Sequence, residues 1–178
     1  MLRAVRSAPS QDVDGRRVKD AYGRSSWVGR VTWDEYFKRF AEIARSRSTC
    51  LRAQHGAVIV RDNHIVATGY NGAPRGLAHC VDAGCTVSAD GIRCERSLHA
   101  EENALIQAAR DGLSTTGATI YVTGFPCEAD ARRIIQAGIT RVVYYEEYAT
   151  MGAEVRKEME NWYRIAGVGV DKQSPPVL

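Results

Sequence analysis

Two short segments carry the reactive groups of this chain. His99-Ala100-Glu101 opens one helical stretch, and Pro126-Cys127 follows a strand-like run further on, with Asp130 three residues after the cysteine. A histidine, a thiol and a carboxylate make a metal-ligand set, and a metal with one open position activates water near neutral pH. Glu101 lies two residues beyond His99, placed to share the pocket while staying off the metal, as a general acid and base should. These are the parts that zinc-activated attack of water on an electrophilic carbon needs. Ligands three apart in one helical turn face the same way, and a helix N-terminus lowers a thiol pKa toward the thiolate that zinc requires.

The elements that must position these groups are readable from periodicity. Trp33, Phe37, Phe40, Ile43 and Ala44 recur at helical spacing, so an amphipathic helix is expected from about Thr32 to Ser46. Two β-branched runs, Ala57 to Val60 and Ile65 to Thr68, separated by Asp62-Asn63, read as a hairpin. Beyond the cysteine-bearing loop come a helix from about His99 to Arg110, a strand over Ala118–Val122, a helix over Cys127–Ala137 stopped by Gly138, and a strand over Arg141–Tyr145. Tyr144 and Tyr145 are expected to alternate between core and surface. A last helix spans about Ala153–Ala166, and a short strand follows near Val168–Val170. Such alternation predicts an α/β chain with a mixed sheet covered on both faces.

Several further pieces occur in a fixed order between about Trp33 and Tyr148: Ser48-Thr49-Cys50, Gly56-Ala57-Val58-Ile59-Val60, Gly69-Tyr70-Asn71-Gly72, His99-Ala100-Glu101-Glu102-Asn103-Ala104 and Ile135-Gln136-Ala137-Gly138-Ile139. With these the chain resembles the zinc-dependent cytidine and deoxycytidylate deaminase superfamily, whose pattern is H-x-E followed by P-C-x-x-C. Within it the deoxycytidylate (dCMP) deaminase branch is the nearest likeness. The resemblance implies a three-layer α/β/α cytidine-deaminase-like fold with a central mixed sheet of about five strands. It also implies hydrolysis of dCMP to dUMP and ammonia, with Glu101 as proton shuttle.

One position departs from the pattern: Asp130 stands where the family has its second cysteine. A carboxylate can ligate zinc, so a catalytic site of His99, Cys127 and Asp130 is chemically sound, though harder and poorer in thiolate. The competing reading is a misdirected carboxylate, weak metal and a nucleotide-binding regulatory relative. Action on dCTP or a 5-modified dCMP is the alternative that keeps the chemistry. His55, where relatives usually carry an apolar residue, is assigned no role.

Four more cysteines remain once Cys127 is set aside. Cys80, Cys85 and Cys94 lie in an insertion over 73–96 with too little apolar content to hold itself together, and Cys50 lies just before the first strand of the hairpin. In a reducing compartment such a cluster suggests a second, structural zinc rather than disulfides. The resemblance supports that site, with His79 as a substitute ligand. For substrate binding, Asn71 follows the hairpin and matches a family position that contacts the nucleotide, and Tyr148 matches another. Arg96 and Arg75 are candidates for the 5′-phosphate because a guanidinium fork suits it.

Composition bounds the rest. The chain has 178 residues, 44% of them hydrophobic, and a net charge of +3, enough for one core without staples. Arg3, Arg6, Arg16, Arg17, Lys19, Arg24 and Arg30 concentrate the excess charge in residues 1–30, read as a flexible basic arm. The remainder, a single deaminase domain over 31–170, is close to neutral, which argues against nucleic acid and for a small-molecule substrate. No stretch has the length of a membrane span and the N-terminus lacks a secretory core, so a cytoplasmic location is expected. Residues 171–178 read as a disordered tail. The resemblance also implies a homo-oligomer, commonly a hexamer, with dCTP and dTTP as allosteric effectors.

Overall fold

Trp33, Phe37, Ala41 and Ala44 lie on one stripe of α1 (Trp33–Arg45), and Phe37, Ala41 and Ala44 are buried. The structure, a computed structural model, describes residues 16–19, 22–23, 25–28, 30–91, 93–147 and 151–177. Thr32 caps α1 by accepting from the Glu35 N–H at 3.0 Å. Asp34 and Glu35 in the first turn and Arg45 in the last complement its dipole.

The expected hairpin is present as β3 (Gly56–Arg61) and β4 (His64–Tyr70), paired antiparallel. Asp62 and Asn63 both adopt positive φ, 52° and 60°, the requirement of a tight two-residue turn that Asp and Asn tolerate. Then come α2 (Cys80–Ala83), α3 (Ala100–Arg110), β5 (Thr119–Gly124), α4 (Glu128–Gln136), β6 (Arg141–Glu146), α5 (Ala153–Ile165) and β7 (Gly169–Lys172). The strands form one sheet in the order β4-β3-β5-β6-β7, antiparallel as far as β5 and parallel from β5 to β7. This is the mixed, five-stranded, three-layer α/β arrangement expected from sequence.

Alternation along the strands divides the core. Ala57, Ile59, Ile120, Val122, Val142 and Tyr144 pack with Ala104 of α3, Ile134 of α4 and Met159 and Tyr163 of α5. Val58, Val60, Tyr121 and Val143 meet Phe37 and Ala41 of α1 on the other face. Each fully buried Ile or Val here contributes about 1.5–3 kcal/mol. Gly69 sets the site-bearing helix against the sheet: a Cβ there would lie 2.1 Å from the Ala100 carbonyl oxygen, so β4 touches the first turn of α3.

Four features differ from the sequence reading. Within the basic arm, β1 (Arg16–Lys19) and β2 (Ser25–Val28) pair antiparallel as a separate two-stranded sheet. The short α2 carries one of the loop cysteines. Tyr145 is buried like Tyr144, because α1 covers its face and Glu42 accepts its hydroxyl at 2.7 Å. Order also runs past the tail boundary read at 171: β7 reaches Lys172, Gln173 donates to Asp34, Lys38 to the Ser174 carbonyl, and the Val177 N–H to Glu35. Among the described residues no helix is long and apolar enough to cross a membrane.

Candidate metal centre

His99 and Cys127 occupy the same structural position twice, the N-cap of α3 and the N-cap of α4. Their backbones are extended alike (φ −74°, ψ 160° and φ −73°, ψ 171°), and neither side chain makes a capping bond. A Ser, Thr, Asp or Asn in these places would stabilise the helix by about 1 kcal/mol, so local stability yields to a pair of donors facing each other. Asp130 stands on the first turn of α4 and is 1% exposed, whereas His99 is 42% exposed. Asp130 Oδ2 lies 2.6 Å from His99 Nδ1 and 3.0 Å from Cys127 Sγ, and Cys127 Sγ lies 3.5 Å from His99 Nδ1. The three residues thus offer ligand atoms within 4.8 Å of one another.

The donor set fits zinc. A nitrogen, a thiol sulfur and a carboxylate oxygen are the ordinary zinc ligands, and three of them leave a position for water. Hydrogen bonds to Asp130 and then Cys127 outweigh burial and raise His99 to about 11, so ligation must displace its proton. Asp130 Oδ1 is buried with no hydrogen-bond partner among the described residues; Arg133 forms a 3.6 Å ion pair with it. Glu101, on the first turn of α3, is 4% exposed. Burial, reinforced by the Asp130 charge, pushes its carboxyl up to about 8, so it can both take and give a proton near neutrality.

The rim of the site holds residues from the start of β3, the end of β4 and the end of β5. Asn71 is a hub of this rim. Its Oδ1 accepts from Ser48 Oγ at 2.6 Å and from the His55 N–H at 2.8 Å, and its Nδ2 donates to the Ala53 carbonyl at 2.7 Å. An amide nitrogen carries two hydrogens, so one N–H remains beyond these contacts. His55, given no role from sequence, sits at the same rim with Nδ1 3.1 Å from Thr123 Oγ1. Burial, with the Arg45 and His99 charges, lowers it to about 4, keeping the ring neutral. No sequence signal distinguished it from a packing histidine. Arg75 is exposed, while Arg96 donates to the Ala78 carbonyl and to Thr86 Oγ1, bracing the cysteine loop. Tyr148 lies outside the described residues.

Of the second ligand set, Cys80, Cys85 and Cys94 converge within 4.8 Å of one another, with Cys80 and Cys94 sulfurs 3.6 Å apart. Burial and the neighbouring thiols push Cys80 up to about 12. Cys94 moves the opposite way: burial opposes its ionisation, but the Arg96 N–H and the Cys80 thiol favour the thiolate more. The two fourth-ligand candidates are outside this group. The backbone N–H of Cys50 is tied to Ser48 Oγ, which is itself held by Asn71, and His79 Nδ1 is 3.0 Å from Thr49 Oγ1.

The model of the cytidine and deoxycytidylate deaminase zinc-binding region matches residues 31–146. The chain belongs to this family. Among relatives of the chain, ComE operon protein 2 of Bacillus subtilis is 46% identical over 121 residues, 68% of this chain and 63% of that one. Deoxycytidylate deaminase of Mycobacterium phage D29 is 43% identical over 130 residues, 67% of this chain and 99% of the phage protein. Several curated relatives are longer, and the chain spans between 43 and 63% of their lengths. The crystal structure of dCMP deaminase from cyanophage S-TIM5 in complex with dCMP and dUMP superposes with a TM-score of 0.66 at 31% identity, covering 78% of this chain and 95% of the cyanophage chain.

Proposed function

We propose that this chain converts dCMP and water to dUMP and ammonia. The observation that carries the reading is the buried carboxyl of Glu101 on the turn that begins at His99, where Cys127 and Asp130 converge. The likeness to proteins named for dCMP, one of them solved with dCMP and dUMP, supports the substrate. Zinc held by His99, Cys127 and Asp130 would supply Lewis-acid activation of water. Glu101 takes the proton of the attacking water as its oxygen bonds to carbon 4 of the pyrimidine, and delivers it to ring nitrogen 3. It then carries the second water proton to the amine as the carbon–nitrogen bond breaks and ammonia leaves.

The same reading gives Asn71 its remaining N–H for the nucleotide, and assigns Tyr148 and Arg75 to the base and 5′-phosphate. Arg75 ranks ahead of Arg96, which already serves the loop. A structural zinc on Cys80, Cys85 and Cys94 is supported by their convergence. The hexamer, the dCTP and dTTP effectors and the cytoplasmic location rest on the family resemblance, and five free cysteines suit a reducing compartment.

Ammonia release from dCMP, with zinc per chain measured on the same sample and Asp130→Cys beside it, tests the proposal. Turnover by the native chain with about two zincs supports the His-Cys-Asp site. No turnover, with activity regained in Asp130→Cys, makes the native chain a nucleotide-binding relative.

A further inference from the structure

A cysteine at position 130 would present one sulfur, whereas the aspartate presents two oxygens and spends only one on the site. Oδ2 meets His99 and Cys127, while Oδ1 is buried without a hydrogen bond among the described residues. The Arg133 guanidinium, 44% exposed, stands 3.6 Å from Oδ1, beyond hydrogen-bond length, and turns its other terminal nitrogen to Glu102 at 3.2 Å. A buried carboxylate oxygen left unmet is costly, and native cores seldom leave one so.

A matching donor lies in the same core. Tyr163, on α5, is fully buried, and its hydroxyl has no hydrogen-bond partner among the described residues. It packs in one cluster with Ala131, the neighbour of Asp130, and with Ala100, the residue between His99 and Glu101, while α5 packs against α4. The phenol is held protonated first by burial and then by the negative charges of Glu101, Asp130 and Cys127. That places the hydroxyl within electrostatic reach of the anionic groups of the site. Buried tyrosine hydroxyls ordinarily find an acceptor.

We propose that Tyr163 is a positioning residue of the metal centre: its hydroxyl donates through one bridging water to Asp130 Oδ1 and holds Oδ2 toward His99 and Cys127. Locked in this way, Asp130 offers the ion one oxygen and leaves a position for water. Unlocked, the carboxylate is free to turn both oxygens to the ion and occupy that position. A thiolate needs no such donor, so Tyr163 matters because residue 130 is an aspartate. The inference rests on the zinc reading of the site but not on the identity of the substrate.

The test is a double-mutant cycle read as zinc affinity, by competition with a chromophoric chelator, on the full chain as native, Tyr163→Phe, Asp130→Cys and the double variant. Zinc at this centre is taken as the difference from His99→Ala, which removes the contribution of the loop thiols. Tyr163→Phe is expected to weaken zinc about 10–100-fold in the native background, the usual cost of losing an outer hydrogen-bond partner, and less than about 3-fold with Asp130→Cys. Equal losses in both backgrounds, no loss in the native one, or no zinc attributable to His99 would each overturn the proposal. Tyr163→Leu gives the same cycle should phenylalanine prevent folding. Ammonia release from dCMP on the same samples separates the two readings: coupling without turnover keeps the positioning role and rejects the deaminase assignment.

Discussion

The two groups of convergent ligand atoms are held by different means. His99, Cys127 and Asp130 stand on the first turns of α3 and α4, two helices whose inner faces are fully buried against the sheet. Cys80, Cys85 and Cys94 stand on a four-residue helix and a loop tied by the isolated bridge Val87–Cys94, with Leu77, Val81 and Val87 exposed. The first group has three different donors and a proton carrier beside it, and its geometry follows from the fold. The second has three alike thiols and no apolar core, so an ion would be its main cross-link. The helix-terminal group is placed by the fold, whereas the loop group has little besides its own thiols to hold it together.

The strongest way to break that comparison is Glu101→Gln. Turnover of dCMP is expected to fall by about 10²–10⁴-fold with both zincs retained; substantial residual activity would move the chemistry away from the helix-terminal site. Next comes Cys94→Ser, expected to lose one zinc equivalent and to speed amide exchange across 73–96 while the amides of β3, β5 and β6 stay protected. Equal loosening at the first turns of α3 and α4 would show that the helix-terminal group also depends on the loop metal.

The smallest expected effect supplies a metal-free reference. Burial alone would raise the Asp34 carboxyl, but hydrogen bonds from Arg141, Tyr121 and Gln173 bring it from 3.8 down to about 2. Since its folded pKa is depressed, this network contributes fully above about pH 4 and fades as pH falls through about 2. After allowance for partial exposure its contribution is on the order of 1 kcal/mol. Asp34→Asn should flatten acid unfolding curves equally with and without zinc, measured by circular dichroism. A zinc-dependent difference would mean that α1 and the metal sites are not independent.

Most elements were legible because their signals are local. Apolar spacing in α1, α3, α4 and α5, β-branched runs in β3 to β6, and the Asp62-Asn63 turn each depend on a few adjacent residues. The β1–β2 pair was not legible, since its Arg-, Lys- and Ser-rich strands carry little alternation and pair only with each other. The convergence of His99, Cys127 and Asp130 was legible as well, because they sit at fixed short spacings on two helix starts. Cys50 lies outside the group of three loop thiols, and where its backbone goes is decided by the Ser48–Asn71 hydrogen bonds, which spacing does not reveal.

Residue types and spacing alone therefore determined the chemistry on offer: a zinc-type donor set, a proton carrier, and an aspartate where a thiol is usual. Only the tertiary structure decided what each group is free to do. It directs Asp130 Oδ2 onto His99 and leaves Oδ1 buried without a hydrogen-bond partner among the described residues. It also commits most of the Asn71 amide to the rim and buries Glu101, which pushes its carboxyl up. Ligand type is a property of a side chain, whereas desolvation and hydrogen-bond pairing are set by neighbours that the chain brings together only when it folds.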